Sequence, residues 1–164
     1  MEDGDGVGVV IRSARLGDGP AVATVFAAAR AQMTYLPVLH TAEEHVAFFS
    51  ECVAGGSWVE VAEAVPDQIV GFCAVRDGTV DHLYVTPEWQ GSRIGGALLV
   101  RAMAAHPGGL SLRVFELNQR ARSFYFREGF VDLERTDGSG NEEQVPDIEM
   151  RWSGRSEGPT PHSS

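Results

Sequence analysis

The stretch LYVTPEWQGSRIGGALL, Leu83–Leu99, joins a β-rich run to an apolar helix and places three glycines, Gly91, Gly95 and Gly96, around the junction. A glycine inside a helix costs about 1 kcal/mol relative to alanine, so the backbone must be needed there for another reason. A helix N-terminus leaves its first N–H groups unpaired and carries a partial positive charge, and glycine lets an anion approach those groups. The segment therefore indicates a phosphate-binding site, with a tight turn and close helix packing as the structural alternative.

Two better-known phosphate loops do not match this segment. The Walker A motif needs a lysine before its Ser or Thr, and the chain contains no lysine. The dinucleotide fingerprint needs GxGxxG after the first strand of a parallel unit, whereas the spacing here differs and the surrounding strands have an antiparallel pattern. Neither of these two nucleotide-binding classes is therefore expected.

Size, charge and cysteine content narrow the classes of function. With 164 residues the chain can bury a hydrophobic core of its own. Its formal net charge of −10 argues against nonspecific nucleic-acid binding, which needs a basic surface. Cys52 and Cys73 show no metal-ligand spacing, so we expect two free thiols and no metal site. Since the sequence shows neither an export signal nor an apolar run of membrane-spanning length, we expect a cytoplasmic protein with no membrane partner.

Composition and periodicity divide the chain into a domain and two tails. Polar ends rich in Gly, Pro and Ser predict a flexible N-terminus at 1–6 and a disordered tail at 153–164, on either side of one domain at 7–152. The predicted strands are Val7–Ala14, Trp58–Ala64, Gln68–Arg76, Thr79–Thr86, Leu110–Leu117, Phe130–Glu134 and Val145–Trp152. The predicted helices lie within Gly17–Gln32, after Thr41, after the glycines and at Gln119–Glu128.

Local signals mark where these elements begin and turn. Thr41 opens a capping box completed by Glu44, which starts the second helix. The pair Asp77-Gly78 supplies the positive φ angles of a tight hairpin, and a second turn is expected at Pro66-Asp67. The centre of the chain is therefore predicted to be an antiparallel meander of three strands.

The order β-α-α-β-β-β-α-β-α-β-β defines the predicted fold class. It is α+β, with a twisted, mixed but mostly antiparallel sheet of about six to seven strands and about four helices on its faces. The last strand, Val145–Trp152, is expected to expose a sheet edge, which makes a homodimer a candidate assembly.

Two motifs together resemble the GNAT superfamily of acetyl-CoA-dependent N-acetyltransferases. The first is similar to motif A of that family, in which Q/R-x-x-G-x-G/A opens a helix after a strand; Gln90, Gly95 and the following GALL match. The second, NQRARSFYFREGF at Asn118–Phe130, resembles the family's N-x-x-A-x-x-F-Y-x-x-x-G-F at every fixed place. The resemblance spans residues 7 to 152 and implies a GNAT-like fold, acetyl-CoA as cofactor and coenzyme A as product.

The resemblance also implies where the cofactor binds. Main-chain groups of Leu83, Tyr84 and Val85 would hold the pantetheine arm and the acetyl carbonyl, and Asn118 would hydrogen-bond the same arm. The pyrophosphate would lie against seven consecutive residues, namely Gln90, Gly91, Ser92, Arg93, Ile94, Gly95 and Gly96.

One residue departs from the family pattern. Arg93 stands where the family has its middle glycine, so a Cβ and a long side chain occupy a position where phosphate normally nears bare backbone. Three outcomes are open: the side chain points away, its guanidinium pairs with a phosphate, or the phosphate site is impaired.

The candidate catalytic residues follow from the chemistry of acetyl transfer to an amine. Tyr125 is the candidate general acid, because a phenol with a pKa near ~10 is protonated at neutral pH and can donate to a departing thiolate. Glu116 is a candidate general base, and Asp81, His82 and Glu60 are the alternatives among which the sequence does not choose.

The loop MTYLPVLH between the first two helices is the candidate acceptor site. Its Tyr35 and His40, together with His82 on a central strand, are predicted to bind the acceptor. The predicted function is transfer of an acetyl group to a primary amine of an unidentified small molecule. A protein N-acetyltransferase and a non-catalytic acyl-CoA sensor are the alternatives.

Overall fold

The polypeptide path was analysed in a computed structural model that describes residues 8–64 and 67–155. Its strands are β1 Val10–Ser13, β2 Trp58–Ala64, β3 Gln68–Arg76, β4 Thr79–Val85, β5 Leu110–Phe115, β6 Val131–Thr136 and β7 Asp147–Trp152. Its helices are α1 Gly19–Arg30, α2 Ala42–Ala54, α3 Ile94–Ala105 and α4 Gln119–Arg127, with 3₁₀ turns at Leu16–Asp18 and Pro87–Trp89. The predicted elements are all present, most of them within two or three residues of the expected bounds.

The strands form one sheet in the order β1-β2-β3-β4-β5-β7-β6. Every neighbouring pair is antiparallel except β4 and β5, which are parallel. The predicted α+β class with a mixed, mostly antiparallel sheet is confirmed. The expected tail at 1–6, residues 156–164 of the other tail and Pro66 of one predicted turn lie outside the described residues.

The sheet edge was predicted wrongly. Strand β7, expected to be exposed, lies between β5 and β6, so the described edges are β1 and β6. The reason is the β6–β7 hairpin: β7 turns back into the sheet and pairs with β5 along Leu110–Phe115, which leaves β6 outside. Sequence order alone does not reveal this, because the alternation of β6 and that of β7 are alike.

The central meander depends on a tight turn that the sequence announces. Asp77 and Gly78 have φ angles of 52° and 77°, the left-handed values that a two-residue hairpin needs. Strands β2, β3 and β4 therefore pair in sequence, with one irregularity between β3 and β4, where Ala74 faces His82 while Val75 faces Val80. Asp81 is thus the extra residue of a β-bulge.

Two apolar layers cover the two faces of the sheet. On one face α1 and α2 pack through Val22, Phe26 and Phe49 against Val61 and Phe72. The other face carries α3 and α4, whose buried residues are Ile94, Leu98, Leu99, Ala102 and Tyr125. Because side chains alternate along a strand, neighbouring residues of β4 reach opposite layers. None of the described helices is both long enough and apolar enough to cross a bilayer.

The parallel strands β4 and β5 pair only at their beginnings. Thr79 lies opposite Ser111 and Val80 opposite Leu112, and within the described residues the pairing ends there. Beyond the bulge at Asp81 the two strands diverge, so the rest of β4 has a partner on its β3 side only. The sheet therefore opens into a wedge at its centre.

The capping box of α2 offers a test of the local sequence signals. Thr41 Oγ1 accepts from the Glu44 N–H at 3.1 Å and the Glu44 carboxylate accepts from the Thr41 N–H at 2.8 Å. Thr41→Ala should lower the free energy of unfolding by about 1 kcal/mol in urea denaturation, because an orphan helix N–H loses its acceptor. Thr24→Ala, which removes an exposed hydroxyl within α1, is the control and should change it by less than about 0.5 kcal/mol. Equal effects of the two substitutions would contradict the role of the cap.

Candidate active site

A cleft of about 1390 Å³ occupies the wedge between β4 and β5. It reaches both faces of the sheet, because residues of the α1–α2 segment line one end and residues of α3 and α4 line the other. From one face come Gln32, Met33, Tyr35, His82 and Tyr84, and from the other come Gly91, Arg93, Gly95, Gly96, Asn118, Phe124 and Tyr125. Two reactants could therefore enter from opposite faces and meet between the strands.

The diverging strands leave backbone groups of β4 open to this cleft. The Thr86 N–H donates to the Val70 carbonyl at 2.9 Å, and this bond shows which residues of β4 direct their backbone groups toward β3. Alternation then directs the N–H and C=O of Leu83 and Val85 away from β3 and toward the cleft. Gln90 Nε2 donates to the Val85 carbonyl at 2.8 Å, as expected for an oxygen that points that way. The Val85 N–H remains a donor aimed into the wedge.

The glycine segment presents unpaired amides where α3 begins. Within residues 8–64 and 67–155, no hydrogen bond uses the N–H of any residue from 91 to 96. A Cβ built on Gly96 would have no heavy atom within 4 Å, and one on Gly95 would lie at 3.9 Å from its nearest neighbours, which is ordinary contact. Packing inside the protein therefore does not require glycine at 95 or 96. What glycine provides there is a bare backbone facing the cleft.

The backbone conformation of Arg93 accounts for the glycine that the family has at this position. Its φ and ψ of 72° and 9° are left-handed, a conformation natural for glycine and strained for arginine. The residue is exposed and lines the cleft, as do Arg120 and Arg127. In a chain with a net charge of −10, this clustering of guanidinium groups gives the cleft a local positive charge.

Tyr125 lies at the α4 side of the cleft with little exposure. Its ring stacks edge-on with Phe124 at 5.1 Å and with Phe130 at 5.5 Å between centroids, and 9% of the residue is exposed. Burial raises the pKa of the Tyr125 phenol above its ordinary value, and the neighbouring Cys73 and Tyr84 act in the same direction. The hydroxyl is therefore protonated at neutral pH, as a proton donor must be.

Asn118 caps α4 and still has a free donor. Its Oδ1 accepts from the Ala121 N–H at 3.1 Å, which confirms the predicted cap. The Nδ2 group takes no part in that bond, and the residue lines the cleft. Capping and ligand binding are thus compatible in one side chain.

The α1–α2 face of the cleft carries two of the three residues predicted to bind the acceptor. Tyr35 and His82 both line it, and the His82 ring packs against Phe26 at 5.8 Å and Phe49 at 5.0 Å. Burial lowers the pKa of His82 to about 4, with nearby arginine charges adding to the effect. The imidazole is therefore neutral at pH 7 and can hydrogen-bond without carrying charge.

His40 is not part of the cleft lining. Its Nε2 lies 2.9 Å from a Glu142 oxygen and its Nδ1 lies 3.6 Å from Glu44. The ring thus links the α1–α2 segment to the loop between β6 and β7. The structure places it at the rim, as a support for the acceptor side.

The candidate bases other than His82 are held by arginines. Glu116 pairs with Arg135 at 2.8 Å, and this hydrogen bond lowers the pKa of Glu116. That carboxylate does not line the cleft, so the structure does not bring it to Tyr125. Glu60 is buried and bonds to Arg101 and Ser13. Asp81 lines the cleft and lies 3.7 Å from Arg76, and burial raises its pKa although the arginine opposes the rise. Glu116 remains a prediction that this geometry does not support.

Three residues at the α1–α2 end of the cleft, where the acceptor is expected, were not predicted from the sequence. Arg30 pairs with Glu143 at 2.7 Å, and its guanidinium carbon lies 5.3 Å from the Phe26 ring centre and 5.8 Å from that of Phe115. The signal for Arg30 was present, because it is a charge in the last turn of an apolar helix. Glu143 and Phe115 carried no local signal, since only the fold brings them to α1.

Two substitutions of Arg93 separate the energetic cost of its backbone conformation from the effect of its charge. Arg93→Gly and Arg93→Ala both remove the guanidinium, but only glycine accepts a φ of 72° without strain. The glycine variant should be more stable than the alanine variant by about 1 kcal/mol in denaturant unfolding. If the alanine variant were equally stable, the left-handed conformation would not cost what its angles indicate.

Comparison with known proteins agrees with this geometry. The family model for the acetyltransferase (GNAT) domain matches residues 54–132. Two curated relatives, the peptidyl-lysine N-acetyltransferases YjaB of Salmonella typhimurium (strain LT2) and Escherichia coli (strain K12), are 36% identical to this chain over 73 residues. The match covers 44% of this chain and 48% of each relative, so the chain spans about half the length of the curated relatives it matches.

Solved structures share the fold over most of the chain. The solution structure of apo-form YjaB from Escherichia coli has a TM-score of 0.71 at 23% identity, covering 90% of this chain and 99% of that one. The structure of yncA from Salmonella typhimurium with its cofactor acetyl-CoA has a TM-score of 0.71 at 18% identity, covering 90% and 95%. The match over residues 54–132 and the shared fold make this chain similar to GNAT acetyltransferases, in agreement with the resemblance of its two motifs.

Proposed function

We propose that this chain is an N-acetyltransferase that moves the acetyl group of acetyl-CoA to a primary amine of a small molecule. The observation that carries the proposal is one cleft that combines three features. These are the free amides of residues 91–96, the open backbone edge at Leu83 and Val85, and the largely buried Tyr125 that lines the cleft. Similar proteins named as N-acetyltransferases support it.

The residues of the cleft fit acetyl-CoA. The unpaired amides at the start of α3 suit a pyrophosphate, and Arg93, Arg120 and Arg127 offer charge to its phosphates. The free groups of Leu83 and the Nδ2 of Asn118 suit the amides of the pantetheine arm. When bound, acetyl-CoA supplies an activated acetyl group as a thioester.

In this proposal two groups of the chain act on the reacting atoms. The Val85 N–H, directed into the wedge, donates to the carbonyl oxygen as negative charge develops on it. Tyr125 holds a proton at its hydroxyl oxygen and gives it to the sulfur as the C–N bond forms and the C–S bond breaks. Both groups are set in place by the fold before the reactants arrive, so little reorganisation is needed.

The amine must reach the carbonyl as a neutral nucleophile. Its excess proton leaves to water in the cleft, because His82 is neutral and weakly basic and Glu116 is paired with Arg135 outside the lining; Asp81, which lines the cleft, is the carboxylate near that water. His82 and Tyr35 then serve to orient the acceptor, with His40 supporting the rim. A water-assisted loss of this proton needs no further residue of high pKa.

The rim of the acceptor end favours a small molecule. Two contacts, Arg30 with Glu143 and His40 with Glu142, tie the α1–α2 segment to the loop between β6 and β7. A polypeptide lying across this end would have to part them. Peptidyl-lysine acetylation is the second candidate, and the naming of the YjaB relatives as peptidyl-lysine N-acetyltransferases is the observation that favours it. A sensor without activity would leave the buried phenol of Tyr125 without a purpose.

Tyr125→Phe tests the proton donor. Once a panel of primary amines has been screened for thiol release from acetyl-CoA, the variant should lower kcat by about 10² to 10⁴ because the thiolate departs unprotonated. Its Kd for coenzyme A should stay within about twofold, since the ring still fills its site. Phe126→Leu, on the same helix with 68% exposure, should leave both unchanged. A parallel loss of affinity and rate in Tyr125→Phe would mean that the hydroxyl is structural.

Gly96→Ala tests the phosphate site. The new methyl group meets no protein atom within 4 Å, so stability should be kept or raised by up to about 1 kcal/mol. The same methyl group covers the bare amides, so calorimetry should show an affinity for coenzyme A about tenfold weaker, or about 1.4 kcal/mol. Gly17→Ala, equally uncrowded and outside the cleft, is the matched control. Wild-type affinity in Gly96→Ala would place the phosphates elsewhere.

A further inference from the structure

Three buried polar atoms without partners gather at the acceptor end of the cleft. Arg30 Nε, Tyr35 Oη and His82 Nδ1 are each enclosed, and within the described parts of the chain none of them has a hydrogen-bond partner. A buried polar atom left unpaired costs about 1–3 kcal/mol, so three in one place need an explanation. Among the described residues, only two other side-chain atoms, Thr86 Oγ1 and Arg122 Nε, are likewise buried without a hydrogen-bond partner.

Aromatic contacts show that the three atoms belong to one cluster. Phe26 contacts both the Arg30 guanidinium, at 5.3 Å, and the His82 ring, at 5.8 Å. Phe115 contacts the same guanidinium at 5.8 Å and the Tyr35 ring at 6.3 Å. The three side chains therefore belong to one aromatic cluster near the end of α1.

This cluster borders the cleft. Tyr35, His82 and Phe115 line it directly, as does Tyr84, whose ring lies 5.2 Å from Phe26. Burial raises the pKa of Tyr84, and the positive charge of Arg30 partly opposes the rise, so the guanidinium lies close behind the lining. Arg30 is not itself among the lining residues, so a group in the cleft reaches its Nε only where Tyr35 and Tyr84 move apart.

The chemistry of the unpaired atoms points to an acceptor of hydrogen bonds. Arg30 Nε–H can only donate, and the Tyr35 hydroxyl can donate as well. Glu143 occupies one terminal nitrogen of the guanidinium and leaves the Nε–H free. A carboxylate can accept from both donors at once. Its negative charge attracts the arginine, whereas the positive charge of an ammonium group would repel it.

We propose that the small amine acetylated by this protein is an amino acid, whose carboxylate binds Arg30 Nε and the Tyr35 hydroxyl at the end of α1. This rests on the proposed acetyl transfer and names its substrate class. The rings of Phe115 and Tyr84, which line the cleft, would enclose the side chain, while the amino group faces the Val85 edge of β4. Polyamines, which lack an anionic group, would be poor acceptors.

Arginine Nε–H signals in nitrogen-15 NMR test the carboxylate contact without requiring turnover. The Arg30 signal, assigned by its loss in Arg30→Lys, should shift when at least one of the twenty common L-amino acids is titrated in. The Arg122 Nε is the matched control, because it is also buried and unpaired but lies near Asp132, away from the aromatic cluster around Arg30. Its signal should not move. 2-Phenylethylamine and 3-methylbutylamine, which are phenylalanine and leucine without the carboxylate, should leave the Arg30 signal in place.

Turnover gives a second readout. For the amino acid that shifts Arg30, Arg30→Gln should raise KM at least about tenfold with a smaller change in kcat, and Tyr35→Phe should raise it by less. No shift of Arg30 by any amino acid, or equal shifts by the matched amines, would overturn the proposal. If amines without a carboxylate supported thiol release and no amino acid did, the carboxylate site would also be overturned, but the proposed acetyl transfer would stand. A shift of Arg30 without any thiol release would instead count against acetyl transfer and support the carboxylate site.

Discussion

The site depends on the separation of two parallel strands. Strands β4 and β5 pair only at Thr79 and Val80, and the bulge at Asp81 marks where they diverge. A strand inside a sheet normally forms hydrogen bonds with a neighbouring strand on each side, so that all of its backbone N–H and C=O groups are paired. Here one row of β4 stays unpaired in the middle of the molecule, where the N–H of Val85 can serve a ligand. An interior opening of this kind is stable only because β3 on one side and β7 on the other hold the separated strands.

The same opening connects the two faces of the sheet, and each face contributes a different kind of chemistry. The α3–α4 face supplies bare amides, arginines and a protonated phenol. The α1–α2 face supplies aromatic rings, a neutral imidazole and the Arg30–Glu143 pair. Alternation along β4 explains the division, because His82 and Tyr84 face one layer while Leu83 and Val85 face the other. A strand of seven residues thus separates a region suited to phosphates from a region suited to an amine.

Charge is distributed unevenly for a chain that is acidic overall. Arginines line the cleft, whereas most acidic side chains lie outside it. Arg93 is the clearest case, since it takes a backbone conformation that suits glycine and so retains a positive charge beside the free amides at a cost in strain. The glycines around it are not required by packing within the protein, since a methyl group at residue 95 or 96 would meet no close neighbour; in the proposed site they leave the backbone bare for the phosphates.

Sequence by itself determined what depends on neighbours along the chain. Thr41 and Glu44 form their capping box, Asp77-Gly78 makes the hairpin, and the glycines and Asn118 lie at the helix starts where their spacing put them. These features follow from local backbone geometry, which a few adjacent residues decide. Tertiary structure alone decided the rest: that β7 lies inside the sheet, that Arg135 holds Glu116, and that Arg30 meets Glu143 from 113 residues away. Such contacts join segments with no shared local signal, so they exist only once the whole sheet has assembled.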